Sequence, residues 1–502
     1  MTGHHEPTTE QHDATTVGSL PTPTPTDARV PRALTRLAWL LWVASLGVLA
    51  ARFAADASWG VPGLVVIDGL TTVMWATVTF FGGIVHSYAR RYLAGTRRRD
   101  RFFGRVFGFT LTVMILVAAD SFLVFWGAWV AMGLVMADLI GHVEGWPQAR
   151  AAAGLARRYF LAGGAALAVA LGVLRWATGA TAVSAVPSAL GSAPSAAVLV
   201  AAGALLLAAM IQSALLPFHA WLLSSMTAPT PASALMHAGF VNAGGILLVR
   251  FAPVVSVDAS VLLAIVLVGA TSAILGKLLK TVRTDAKGKL GCSTVGQMGF
   301  MIMQAGLGFF GAAVTHLILH GFYKAYQFLG AGGEVEHASP AATTTARSVT
   351  PLGVAVTAGT ALAGGAVFAT LTGKVSGVDT GLLLTLLVVL TGLHAAREVV
   401  VDASLPAAVR YGVVPLVTIP AIAVYAGVYN VISGLLTGLP AVGDPAELTA
   451  VHGLVAVAFL VAYGAVETGA YRHSQRLYVA LLNATQPAPE TQVTATEEYN
   501  EY

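Results

Sequence analysis

His316, His320 and Lys324 fall at i, i+4 and i+8 in the run His-Leu-Ile-Leu-His-Gly-Phe-Tyr-Lys. On one helix that spacing stacks three proton-titratable groups in a slanted stripe, each about 6 Å above the last. One or two waters span such a gap, and imidazole titrates near neutrality, so the stripe suits proton transfer from group to group. The bland alternative is helix–helix glue, with every ring satisfied by a neighbouring carbonyl. For a single histidine glue is the stronger reading. Three titratable groups in register reverse it, because ionisable groups at membrane depth are expensive and proton relays are a reason to keep them. The expected chemistry is movement of protons or another small cation.

The elements that hold this stripe must be membrane helices. Hydrophobic residues make up 56% of the 502 and charged residues 10%, with a mean hydropathy of +0.74. A soluble domain carries about 25% charge, so a soluble globular fold is excluded and an all-α polytopic membrane protein, embedded in lipid, is expected. Apolar runs of spanning length begin near 33, 64, 100, 120, 157, 195, 232, 258, 291, 313, 351, 378, 408 and 448, which gives about fourteen transmembrane helices. Arg90, Arg91, Arg97, Arg98, Arg99, Arg101, Arg157, Arg158, Lys277, Lys280, Arg283, Lys287, Lys289, Arg472 and Arg476 then share one side. Positive-inside bias makes that side cytoplasmic, with both termini there and the chain in the cell (inner) membrane.

Residues 1–31 read as a disordered tail rich in Thr, Pro and His, without the basic start and apolar core of a signal peptide. Residues 32–471 form the transmembrane domain, 472–485 a cytoplasmic helix and 486–502 a disordered acidic tail. One cysteine, Cys292, excludes a disulfide framework, a cysteine-rich zinc site and an iron–sulfur cluster. The net charge of +4 gives no sign of a nucleic-acid partner.

Two spans look interrupted. Pro217 should kink or break span six, and Pro229-Thr-Pro231 precedes span seven. Carbonyls freed at such breaks commonly line ion sites. His237 follows Pro231 amid Gly239, Asn242, Gly244 and Gly245; a packed core histidine is the competing reading. His219 and Lys277 form a second tier, since both can snorkel to the interface. Asp68 and Asp120 lie near the outer surface, at an ion portal or at a solvated helix end. Asp138 and His142 sit at the inner end of span four. His394 and Glu467 stand isolated in the sequence and receive no role. The Asn483-Ala-Thr485 sequon falls on the cytoplasmic side and is discounted.

The run Met226-Thr-Ala-Pro-Thr-Pro-Ala-Ser-Ala-Leu-Met-His237 resembles the signature of antiporter-like subunits of respiratory complex I and of Mrp sodium/proton antiporters. Thr284-Asp-Ala-Lys287, residues 293–300, residues 316–324, Asp68-Gly-Leu-Thr71 and Trp129 fit the same family, together covering about residues 60–335. The resemblance implies two inverted five-helix repeats, each with a broken helix, and a buried polar chain at midplane. The chain departs where the family carries a glutamate and a lysine, having Val130 and Gln212 instead. Valine holds no charge and glutamine does not titrate, so a pump built on that pair would be crippled. The second repeat's Gly-Phe-x-Ser-Lys motif is reduced to Gly373-Lys374.

Residues 235–253, 297–309, 320–325 and 476–483 resemble one branch of the family, the membrane subunits of inorganic-carbon transporters, and the length of the chain agrees. That branch implies a proton- or sodium-conducting subunit, not itself an enzyme, in an energy-coupled complex for CO2 and bicarbonate uptake. A zinc-containing partner subunit on the cytoplasmic side would hydrate CO2. No cofactor is expected in this chain, whose one thiol and helix-strung histidines do not converge as zinc ligands must. His237, His316, His320 and Lys324 are the expected ion-path residues, followed by Lys277 and His219. Competing readings are a proton-pumping subunit of an NADH-quinone oxidoreductase, an Mrp antiporter subunit, and a structural membrane anchor for a soluble enzyme.

Overall fold

Each apolar run becomes a helix, fourteen of them long, over the described residues. This computed structural model describes residues 29–55, 57–96, 98–331, 350–374, 377–401 and 405–492. The expected tail over 1–31 lies outside these except for its last three residues, which already belong to the first helix; residues 493–502 lie outside as well. The helices are α1 (Arg29–Ala55), α2 (Gly69–Tyr92), α3 (Arg99–Ala118), α4 (Phe122–Ile140), α5 (Pro147–Thr178), α6 (Ser195–Gln212) and α7 (Thr230–Arg250). They continue as α8 (Ala259–Val282), α9 (Ala286–Gly306), α10 (Phe310–Gly330), α11 (Pro351–Leu371), α12 (Gly381–Val401), α13 (Val409–Leu435) and α14 (Ala450–Thr468).

Twelve are long and apolar enough to cross a bilayer. The other two, α9 and α10, have 21 residues each. They fall short in hydropathy because they carry Lys287, Lys289, Gln297, His316, His320 and Lys324, so the two exceptions are the helix bearing the stripe and its neighbour in the chain. Asp68, Asp258, Asp285 and Thr350 cap α2, α8, α9 and α11, their side chains accepting from backbone N–H groups of the first turn. A small antiparallel hairpin, β1 (Trp59–Val61) and β2 (Val65–Ile67), precedes α2.

Position in the bundle follows burial. The apolar stretch of α7 is 94% buried, against 11% for α13 and α14, whose outward faces suit lipid. Apolar side chains form one large core drawn chiefly from α2 through α7 with α9 and α10, and a smaller one drawn chiefly from α8, α12, α13 and α14. Helices α8 and α9 run backbone to backbone along Gly269, Gly276, Gly296 and Gly299. A Cβ placed on Gly276 would lie 2.3 Å from Gly296 N, and one on Gly299 2.5 Å from Ala273 N.

Pro217 interrupts span six as expected: α6 stops at Gln212, and the chain turns through Ser213–Phe218 into a short helical turn, Ala220–Ser224. Span seven differs. Pro231 does not break it but occupies the first turn of α7, where a missing N–H leaves no hydrogen bond unmade. The interruption comes later, at Gly239, followed by a 3-10 turn over Phe240–Asn242. Asn242 Nδ2 donates to Ala238 O at 2.7 Å, and Ser213 Oγ to Val241 O at 2.7 Å, so side chains satisfy the freed carbonyls. Helix α12 runs unbroken over Gly381–Val401.

A terminal helix, α15 (Gln475–Ala484), lies along α8. The segment after it is less free than expected for 486–502. Ala488 N donates to Ser224 Oγ at 3.0 Å and Thr491 is buried, so residues 486–492 are held beneath the span-six break.

Candidate functional site

Three helices converge on the stripe. On α10 the rings of His316 and His320 lie nearly parallel, with centroids 5.7 Å apart. Lys324, one turn on, is fully buried, and its Nζ donates to Leu290 O of α9 at 3.0 Å. Thr294, four residues along α9, donates its hydroxyl to the same Leu290 O at 2.9 Å. With that proton engaged, Thr294 Oγ1 is left to accept from His237 Nδ1 of α7 at 3.0 Å. His237 is fully buried, its ring stacked on Phe328 with centroids 4.3 Å apart. The sequence-expected group His316, His320, Lys324 and His237 is therefore one assembly, linked by Thr294 and the Leu290 carbonyl.

Two features separate this assembly from helix glue. Glue would bond the ring nitrogens to carbonyls, yet His237 Nε2, His316 Nε2 and both nitrogens of His320 are buried without a protein partner among the described residues. Buried polar atoms are seldom left so. Lys324 finds a carbonyl and a distant tyrosine ring, and no carboxylate pairs with it among the described residues. Burying a full charge without a counter-ion costs several kcal/mol, of order, so this lysine serves something other than stability.

A second cluster draws on α8, α12 and α14. Lys277 Nζ lies 2.7 Å from His394 Nε2, and His394 Nδ1 lies 2.7 Å from Glu467 Oε1. Arg397 pairs with Glu467, and Glu398 stands 3.1 Å from His394 Nε2. If His394 gives its Nδ1 proton to Glu467, Nε2 accepts from the Lys277 ammonium. His394 and Glu467, left without a role by sequence reasoning, are thus central to a network, and Lys277 does not snorkel freely. These partners are 117 and 73 residues apart in the chain; the only signal was three ionisable residues at similar depth in three apolar runs. His219 joins neither cluster: its Nε2 lies 3.0 Å from Ala484 O, tying the span-six break to α15.

The other candidates have structural roles. Asp68, which caps α2, pairs with Arg250 of α7, whose guanidinium also donates to Thr71 Oγ1 at 2.6 Å and Val117 O at 2.5 Å. Burial alone would raise the Asp68 carboxyl, but Arg250 and Thr71 outweigh it and hold it below the usual carboxylate range. Asp120 accepts from Gly63 N at 3.0 Å and from Ser184 N and Oγ at 2.8 Å, pinning outer loops. Asp138 pairs with Arg157 at 2.8 Å. His142, beyond α4, is pushed down to about 4 by burial and the nearby Arg105 and Arg98 guanidinium groups. Val130 fills the space against α5: a Cβ on Gly164 would meet its Cγ2 at 2.9 Å. The Gln212 amide is buried without a partner among the described residues. Among those residues, no group of three His, Cys, Asp or Glu side chains is placed to hold a metal.

This architecture is shared with a solved assembly. Over 94% of its length the chain aligns, with a TM-score of 0.55 and 24% identity, to 51% of a chain in the structure of the Mrp complex from Dietzia sp. DQ12-45-1b, which shows a common fold. Residues 119–353 match the family described as NADH:quinone oxidoreductase/Mrp antiporter, TM. Residues 58–103 match NADH-Ubiquinone oxidoreductase (complex I), chain 5 N-terminus. Over these two stretches the chain matches the family of complex I and Mrp antiporter-like membrane subunits.

Within the family, it is 38% identical over 283 residues to "Probable inorganic carbon transporter subunit DabB1" of Halothiobacillus neapolitanus, covering 55% of this chain and 50% of that protein. It is 39% identical over 279 residues to "Probable inorganic carbon transporter subunit DabB" of Bacillus subtilis, covering 54% of each. NADH-quinone oxidoreductase subunit L of Mycobacterium tuberculosis is 38% identical over 276 residues, 54% of this chain and 43% of that one. The chain spans about half the length of the curated relatives it matches.

Proposed function

We propose that this chain is the cation-conducting membrane subunit of an energy-coupled inorganic-carbon uptake complex. The observation that carries it is the run His316–His320–Lys324–Leu290 O–Thr294–His237, in which Lys324 has no counter-ion and four imidazole nitrogens are buried without a protein partner among the described residues. Each imidazole takes a proton on one nitrogen and releases one from the other. Lys324 holds a proton against the Leu290 carbonyl, and Thr294 passes one by accepting and donating through a single oxygen. The stripe offers nitrogen where a hard cation wants several oxygens, which favours protons over sodium. Lys277, His394 and Glu467 supply the next stations toward the basic side of the membrane. The distribution of Arg and Lys supports a cytoplasmic side there, with both termini on it and the chain in the cell (inner) membrane.

The substrate half of the proposal leans on the DabB-named relatives. Catalysis, in this reading, belongs to a DabA-type, zinc-containing partner docked on the cytoplasmic side, and proton flow through this chain makes CO2 hydration effectively one-way. Val130 and Gln212, in place of the family's charged pair, weigh against the alternative of a redox-driven pump in an NADH-quinone oxidoreductase or an Mrp antiporter.

The test is complementation of a carbonic-anhydrase-deficient host at ambient CO2 by this chain with its partner. Lys324→Ala should abolish growth while the protein still inserts and assembles, since alanine suits a helix and removes only the ammonium. Full complementation by that variant would sink the relay and favour the anchor reading. Co-purification with quinone-oxidoreductase subunits would carry the alternative.

A further inference from the structure

The basic ends of α1 and α2 enclose a groove of about 530 Å³ lined by Arg32, Arg36, Arg90, Ser87, Trp39 and Leu40. A second concavity of about 910 Å³ adjoins it, sharing Arg32, Ser87 and Arg90 and adding Arg91 and Arg99. Elsewhere on this side arginines meet carboxylates: Arg98 with Glu144, Arg157 with Asp138, Arg283 with Asp285. Arg32, Arg36, Arg90 and Arg91 form no ion pair with any described residue, and among the described residues no acidic side chain lines either concavity. A positive-inside bias accounts for basic residues at this depth. It does not account for their facing one another across a cleft between two helices.

The floor of the groove is built. Trp39 Nε1 donates to Ser87 Oγ at 3.0 Å, and Ser87 Oγ donates to Gly83 O at 2.8 Å, locking α1 to α2. The indole lies over Gly83, where a Cβ would come within 2.9 Å of it, and indole rings favour headgroup depth. One turn further into the membrane the chemistry changes. Leu40 is 64% exposed and Val43 59%, on a helix whose apolar stretch is only 17% buried. A cationic cleft opening onto an uncovered apolar ridge fits a ligand that is anionic at one end and aliphatic at the other. Guanidinium forks match phosphate oxygens two at a time.

We propose that this groove binds an anionic phospholipid, its phosphate held by Arg32, Arg36 and Arg90 and its acyl chains laid along Leu40 and Val43. Native mass spectrometry of the purified full chain tests it. Phosphatidylglycerol is compared with phosphatidylcholine of identical acyl chains, each with and without millimolar inorganic phosphate. Wild type should retain phosphatidylglycerol preferentially, with little displacement by phosphate. Arg32→Gln/Arg36→Gln/Arg90→Gln should lose on the order of a hundredfold in that affinity, the sum of three surface arginines. A control removing as many positive charges off the groove, Arg101→Gln/Arg158→Gln/Arg476→Gln, should keep it. Equal loss in the control would mean diffuse surface charge and overturn the site. Equal retention of the two lipids by wild type would overturn it without any variant. Displacement by inorganic phosphate would mean a free-anion site, and release of lipid when the partner subunit joins would mean a protein interface.

Discussion

At the scale of single residues, a lysine without a counter-ion and three imidazoles without bonds to carbonyls would be defects in a purely structural bundle. Here Lys324, His316 and His320 share one stripe, and Thr294 with the Leu290 carbonyl joins Lys324 to His237 on a second helix. Thr294→Val keeps much of the side chain's shape while removing the oxygen between His237 and Leu290 O. Proton flux through the assembled complex should fall on the order of a hundredfold, the usual scale for losing one proton-transfer group. Thr294→Ser should retain most of it. A pH-sensitive dye inside proteoliposomes under an imposed membrane potential reads both, and unaltered flux in the valine variant would remove Thr294 from the path. The stripe was legible because its spacing lies within one helix. The Lys277–His394–Glu467 cluster was not, because it exists only through the packing of α8, α12 and α14.

At the scale of elements, position decides what a residue type means. Pro217 ended a helix as its chemistry predicts, whereas Pro231 began one, and the true interruption of α7 fell to Gly239 and Asn242. Sequence patterning located fourteen apolar runs, but only Asn242 marks the broken turn locally; Ser213, which bonds the Val241 carbonyl, comes from the end of α6 and leaves no local mark. The glycine seam between α8 and α9 is of that kind, and it fixes Lys277 relative to Thr294. Gly276→Ala drives a Cβ into the Gly296 backbone, so about 1–3 kcal/mol of destabilisation is expected from overpacking. Gly203→Ala, where a Cβ would meet nothing within 4 Å, should be neutral or stabilising by up to about 1 kcal/mol. Thermal unfolding in detergent compares the two, and equal midpoints would deny the seam its role.

At the scale of the whole molecule, composition announced a polytopic membrane protein, and burial divides it between a crowded centre at α2 and α7 and peripheral helices at α13 and α14. The chain by itself should show no CO2 hydration, because a catalytic zinc site needs about three converging ligands and none converge among the described residues. Stopped-flow measurement on the purified chain checks this, and zinc-dependent hydration by the chain alone would overturn the division of labour. The C-terminal segment has a further use. Ala484 touches His219, Thr485 O accepts from Arg283 at 3.4 Å, and Ala488 is bonded to Ser224. A dye attached at Gln492 would ride on the very loop where α6 gives way, turning this segment into a gauge for watching that loop through a working cycle by energy transfer.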